Sequence, residues 1–258
     1  MTSTPPYAEV GLQLDVSDAT ATITLARPER LNAQTPHTWA ALREIGAGLP
    51  ETVRVVVVRG LGKAFSAGLD RAMFTPEGLP GSPSIASLGT DPDGDARIAG
   101  FQAGFTWLAD PAFVSVASVQ GHAIGAGFQL ALACDLRVLA DDAQLCMAET
   151  LLGLVPDLTG TKALVDLVGY ARALEFCVTG RRVGAAEAER LGLANLVVRP
   201  ADLEAATADL VAALLAAPAA AARETTALLA GASRRNPAEQ HAAERAAQLR
   251  LLRGFAAG

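Results

Sequence analysis

Four consecutive valines, Val55 to Val58, lie between Arg54 and Arg59. A β-branched run without polar alternation suits a strand buried on both faces, so the chain must supply cover for both. The surrounding sequence offers that cover. Val10 to Val16 and Ala21 to Leu25 alternate apolar and polar residues and predict a hairpin turned at Ser17-Asp18. Pro36 to Leu49 predicts a helix, with Thr35 as cap and proline in the first turn. Val114, Val116 and Ala117 mark a further strand, and Leu136 to Leu139 and Leu145 to Met147 mark two short ones. Ala96 to Ala109 and Gly125 to Ala133 read as helices between them, with Phe105 and Trp107 at helical spacing as core or pocket-lining residues. After about residue 155 the pattern turns helical: Thr161 to Val168, Tyr170 to Thr179, Ala185 to Leu191, Asp202 to Leu215 and Pro237 to Arg253, with one late strand at Asn195 to Val198. Phe74 to Asp95 is rich in Pro, Gly, Ser and Asp and reads as a long loop, either a surface insertion or a lid or pocket wall.

Composition narrows the function classes. A chain of 258 residues needs no disulfide or metal staple to bury a core. The formal charge of −6 argues against a general nucleic-acid binder. The 51% apolar content is largely alanine, and no apolar run reaches the roughly 20 residues of a membrane helix. The first nine residues lack the basic start and apolar stretch of a signal peptide. Cys134, Cys146 and Cys177 cannot all pair and have no metal-ligand spacing. The expectation is a soluble cytoplasmic protein with no metal.

Two glycine-rich loops hold the strongest chemical signal. Lys63-Ala64-Phe65-Ser66-Ala67-Gly68-Leu69-Asp70 follows the valine strand, and Gly121-His122-Ala123-Ile124-Gly125-Ala126-Gly127 leads directly into a helix. Amides at a helix start lack intrahelical partners and favour negative charge, so two such loops could aim two N–H groups at one developing anion. Neither loop has phosphate-loop or dinucleotide spacing. Histidines 37, 122 and 241 are scattered and no serine sits in a Gly-x-Ser-x-Gly elbow, which disfavours a serine triad; His122 reads as a turn residue. Glu149, with Asp157 eight residues on, supplies a carboxylate pair that could act as base and partner. Asp157 also has the position of an N-cap for the next helix.

In this order the segments resemble the crotonase superfamily, the enoyl-CoA hydratase/isomerase family. The resemblance runs from Arg27-Pro28-Glu29-Arg30-Leu31-Asn32-Ala33 through Ala64 to Asp70, Gly121 to Gly127, Cys134-Asp135-Leu136-Arg137 and Glu149 to Pro156. It closes on Gly180-Arg181-Arg182-Val183, Ala186-Glu187-Ala188 and Gly192-Leu193-Ala194. It implies an α/β fold: a crotonase-like spiral of ββα units with perpendicular sheets over residues 1–195, and a helical region over 196–258 used for oligomer contacts. It implies an acyl-CoA thioester substrate, a homotrimer or hexamer, and no cofactor beyond the coenzyme A of the substrate.

The resemblance also assigns positions. The Leu69 and Ala126 amides would form the oxyanion hole for a thioester enolate. Arg30 and Lys63 would meet coenzyme A phosphates, and Leu31, Ala64 and Ser66 would offer backbone contacts to adenine or pantetheine. Asp70 would brace the first loop, and Asp135 with Arg137 the core. Glu149 matches one of two hydratase glutamates. The other falls on Gln129, which can hydrogen-bond a water but cannot accept a proton. A single carboxylate suits isomerisation of a 3-enoyl thioester better than hydration. Two alternatives stand beside it: a 3-hydroxyacyl-CoA thioester hydrolase using Glu149 and Asp157, and a non-catalytic acyl-CoA binding protein.

Overall fold

The computed structural model describes residues 7–82 and 84–256. The hairpin forms as its alternation requires. Strand β1 (Leu12–Ser17) pairs antiparallel with β2 (Thr20–Leu25), and Asp18 takes a left-handed φ of 52° at the turn. Helix α1 (Pro36–Gly48) starts at Thr35, whose side chain accepts the Thr38 amide while Thr38 bonds back to the Thr35 amide. The valine strand is β3 (Val55–Gly60). Two helices follow: the single turn α2 (Ile85–Leu88), capped by Ser84, and α3 (Gly94–Thr106). The expected long loop is thus interrupted by a capped turn.

The next units are β4 (Val114–Val119), β5 (His122–Ile124), α4 (Ala126–Ala133), β6 (Leu136–Ala140) and β7 (Gln144–Cys146). Then come α5 (Gly160–Val168), α6 (Tyr170–Thr179), β8 (Val183–Gly184), α7 (Ala185–Arg190) and β9 (Leu196–Val198). Three helices end the chain: α8 (Leu203–Ala216), α9 (Ala219–Ala232) and α10 (Pro237–Ala256). No single helix among the described residues is long and apolar enough to cross a membrane.

These strands make two sheets. The larger has the order β1-β2-β3-β4-β6-β9, parallel from β2 onward, with β3 between β2 and β4. Its two faces are covered differently. One looks onto the main core, where Val56 and Val58 meet Leu42, Ile45, Phe105 and Phe128. Val55 and Val57 face the other way, against Leu203, Leu210 and Leu214 of α8. Phe105 is buried against Trp39, whereas Trp107 packs edge-on to Phe113. The smaller sheet is β5-β7-β8, and the candidate site described below adjoins it.

A buried cation braces the core. The Arg137 guanidinium donates to the carbonyls of Leu193 and Cys134, both at 2.6 Å, and more weakly to Asp135 and Ala131. Asp135 in turn accepts the Ser115 amide at 2.8 Å. Arg137 therefore ties the end of α4 to the turn that follows α7. Replacing it with methionine leaves several buried carbonyls without donors. We expect Arg137→Met to lower unfolding free energy by at least about 3 kcal/mol in denaturant titration; a loss below about 1 kcal/mol would contradict this role.

Candidate active site

The two glycine-rich loops are joined backbone to backbone. The Phe65 amide donates to Gln120 O at 2.9 Å and the Ser66 amide to His122 O at 2.8 Å, while Ser66 O accepts the Ile124 amide at 3.0 Å. Residues 65–66 thus add to the edge of β5. His122, expected in a turn, is the first residue of that strand. The turn falls at Gly121, with φ 57°. The first family-like segment is pinned to the same place. Leu31 and Asn32 take left-handed φ values of 49° and 54°, and the Asn32 side chain donates to Leu61 O and Ala64 O, both at 2.8 Å. Arg27 bonds Asp70 at 3.0 Å, and Asp70 caps the short 3-10 turn Arg71–Phe74, so Asp70 braces the loop as expected.

This joining sets the two amides. Gly68, at φ 88°, lies so close to the second loop that an added Cβ would stand 2.5 Å from Ile124 O and 3.5 Å from the Ala126 nitrogen. Only glycine allows that approach. Leu69 is the next residue, and Ala126 is the first residue of α4. Among the described residues neither amide donates to a protein acceptor. Where the two loops meet there are thus two N–H groups without a protein acceptor among the described residues, one of them at a helix start, the kind of donor suited to an oxyanion.

Glu149 lies beside them. It opens a 3-10 turn, Glu149–Leu152, and is buried. A Cβ on Gly125 would be 3.2 Å from Glu149 Oε1, so the carboxylate rests against the second loop. Its two oxygens differ. Oε1 accepts Gln129 Nε2 at 2.7 Å, whereas Oε2 is buried and without a partner among the described residues. Gln129 Oε1 accepts the amides of Leu158 at 2.9 Å and Gly160 at 3.2 Å. Two donors on that oxygen fix the amide orientation, so its NH2 group must face Glu149. Burial pushes the Glu149 carboxyl above the ordinary glutamate range; the Gln129 bond opposes that shift and the Asp157 charge adds to it.

Asp157 is not a helix cap. Thr159 occupies the cap position of α5 in a left-handed conformation, with no side-chain cap bond. Gln102 of α3 holds the Asp157 carbonyl at 2.7 Å; the residue is half-buried and its charge acts on Glu149. Burial raises its pKa as well.

The expected coenzyme contacts sit on the joined loops, at different depths. Arg30, Leu31 and Lys63 are exposed; Ala64 and Ser66 are buried. The Ser66 amide and carbonyl are both used in pairing to β5, and the Leu31 carbonyl already accepts the Ala67 amide. Any ligand bond from these carbonyls would be a second one on the same oxygen. Lys63 also borders an open groove of about 1000 Å³ between the sheet and α8, lined by Arg59 and Gln120. That groove lies across the sheet from Glu149. Sequence reasoning missed Gln34, a buried side chain that ties Trp39 to Ser66. A lone glutamine before a helix cap has no pattern that would single it out.

The family model described as enoyl-CoA hydratase/isomerase matches residues 15–253. The chain belongs to the enoyl-CoA hydratase/isomerase family. A crystal structure from Thermobifida fusca YX, provisionally named an enoyl-CoA hydratase, superposes with a TM-score of 0.94 at 51% identity, covering 99% of each chain. That protein has also been crystallised with CoA and with acetoacetyl-CoA. The carnitinyl-CoA dehydratase of Escherichia coli K12 is 38% identical over 184 residues, 70% of this chain and 65% of the relative. A Mycobacterium tuberculosis protein, provisionally named enoyl-CoA hydratase echA8, is 34% identical over 207 residues, 78% of this chain and 75% of the relative. The two-sheet α/β architecture is the crotonase fold, as the family resemblance implied.

The raised Glu149 pKa has a consequence for stability. A carboxyl whose pKa rises on folding stabilises the fold most below its unfolded value, near 4.5, and that contribution is lost as pH rises through the folded value. Glu149→Gln removes the loss. Thermal denaturation against pH should show the variant gaining on the wild type as pH rises; parallel curves would contradict a raised pKa.

Proposed function

We propose that this chain is a CoA-thioester isomerase that moves the double bond of a 3-enoyl-CoA to the 2-position, with Glu149 as its one acid–base group. The observation that carries the reading is the Gln129 amide: its oxygen is held by two backbone amides and its NH2 faces Glu149. Where a hydratase needs a second carboxylate to activate water, this site has a fixed donor.

The steps balance with one base. The thioester oxygen accepts the Leu69 and Ala126 amides, and Glu149 Oε2 takes a proton from C2. The C2–H electron pair forms a bond to C1, and negative charge moves to the oxygen held by the two amides. When the charge returns, a C2–C3 double bond forms, the C3–C4 double bond opens, and C4 takes the proton from Glu149. The carboxylate ends as it began. Burial of Glu149 favours its neutral form, which keeps the abstracted proton available for C4.

Acyl-CoA as substrate class is supported by the crystallised relative that holds CoA and acetoacetyl-CoA. In this reading Arg30 and Lys63 meet coenzyme phosphates, and Leu31, Ala64 and Ser66 line its path. A homotrimer or hexamer is part of the proposal. The accessible surface is 13391 Å², against roughly 10,700 Å² for a compact monomer of this mass. Helices α9 and α10 pack against each other and leave Leu229, Leu249 and Leu252 exposed.

A second reading, a thioester hydrolase, is favoured by the half-buried Asp157 carboxylate, whose charge acts on Glu149. Product analysis separates the two. Wild-type protein should convert 3-enoyl-CoA to 2-enoyl-CoA faster than it hydrates 2-enoyl-CoA, and Glu149→Gln should lower that rate about 10²–10⁴-fold. Gln129→Glu should raise the share of 3-hydroxyacyl product. Free coenzyme A as the main product would favour the hydrolase, and unchanged thioesters would favour a binding protein.

A further inference from the structure

The loop that presents the Leu69 amide is fastened by a buried side chain that the proton chemistry does not use. Gln34 is fully buried. Trp39 Nε1 donates to Gln34 Oε1 at 2.8 Å, which turns the NH2 group toward Ser66, where Nε2 donates to Oγ at 3.0 Å. Ser66 Oγ spends its own proton on Asn32 O at 2.8 Å. It therefore faces Gly68 as an acceptor and takes the Gly68 amide at 3.2 Å. The backbone of Gln34 completes the clamp. Its amide donates to Gly68 O at 2.7 Å, and its carbonyl accepts the Asp70 amide at 2.8 Å.

Gly68 is the residue that needs clamping. Its φ of 88° lies where glycine alone is comfortable, and glycine is also the residue freest to leave. Both of its soft dihedrals are held, one through its amide on Ser66 and one through its carbonyl on Gln34. The peptide from Gly68 to Leu69 is planar and trans, so fixing Gly68 O on one side directs the Leu69 N–H to the other. Leu69 is bracketed by Gln34 on both sides, and its amide is the group left over.

We propose that Gln34 is a positioning residue for the oxyanion hole: a buried relay from the Trp39 indole through Gln34 and Ser66 fixes the peptide plane that aims the Leu69 N–H. The inference rests on reading Leu69 as an oxyanion donor, so the test must examine that reading separately.

Acetoacetyl-CoA serves as the probe. Its C2 proton lies between two carbonyls, and an oxyanion hole draws the bound thioester toward its enolate, which has its own near-ultraviolet band. The measurements are that band against pH, affinity for CoA alone, and the kcat and KM of isomerisation. They are made on wild type, Gln34→Met and Trp39→Phe. Trp39→Phe removes the donor that orients the Gln34 amide, at the cost of a smaller ring, and keeps an aromatic ring against Phe101 and Phe105. It carries the test if Gln34→Met does not fold.

Wild type should show the enolate band. In folded variants the band and kcat should fall together by about tenfold or more, within the worth of one oxyanion donor, while KM and CoA affinity change by less than about threefold. No band in wild type would overturn the oxyanion reading itself. A wild-type band that is undiminished in both variants would overturn the role of Gln34. So would an equal loss of CoA affinity and turnover, which would mark Gln34 as a general support of the loop.

Discussion

The site depends on one contact between two backbones. Ser66 pairs with His122 and Ile124, and Gly68 lies against Ile124 O with no room for a side chain. This places two loops from distant parts of the chain edge to edge, and among the described residues the Leu69 amide of one and the Ala126 amide of the other have no protein acceptor. Gly127 has the same constraint from the other side, since a Cβ there would stand 2.5 Å from Ser66 O. The glycines are needed for approach, and the buried polar groups around them supply the rigidity that glycine lacks. Asn32 ties the first family-like segment to Leu61 and Ala64, and Gln34 ties it to Ser66. An oxyanion hole works by having its dipoles fixed before charge develops, so this bracing belongs to the proposed chemistry as much as the amides do.

The carboxylate is placed by the same helix start. Gln129, one turn into α4, reaches Glu149 because its other end is held by the amides of Leu158 and Gly160. The added Cβ at Gly160 would lie 2.7 Å from the Gln129 side chain, so glycine is needed for this contact too. One carboxylate oxygen is thereby committed, and the other is buried and without a partner among the described residues. That asymmetry suits a proton that leaves C2 and returns to the same substrate. Asp157 adds a second charge whose presence makes ionisation of Glu149 harder.

The large sheet was legible in the sequence because its strands have strong patterns: alternation in the hairpin and the valine run of β3. Helices α1, α5, α6, α8 and α10 were legible from caps and apolar stripes. The small sheet was less so. Strands β5 and β8 have three and two residues, and their partners lie far away in sequence, so no local period announces them. Helix α9 was missed because its alanine-rich stretch after Pro218 gives little contrast between faces. Glu149 and the two amides were legible only jointly, through the family resemblance. Residue identity alone shows that Gln129 cannot accept a proton. The direction of its amide needed the Leu158 and Gly160 donors, and the position of Asp157 needed the left-handed Thr159.

The central claim is that one carboxylate carries a proton from C2 to C4 of a thioester enolate. The most direct measurement uses 3-enoyl-CoA deuterated at C2, turned over once in ordinary water, with the product analysed by mass for label at C4. Transfer by Glu149 predicts 2-enoyl-CoA with part of the deuterium at C4, and no such product with Glu149→Gln. Complete loss of label to solvent with accumulation of 3-hydroxyacyl-CoA would contradict it.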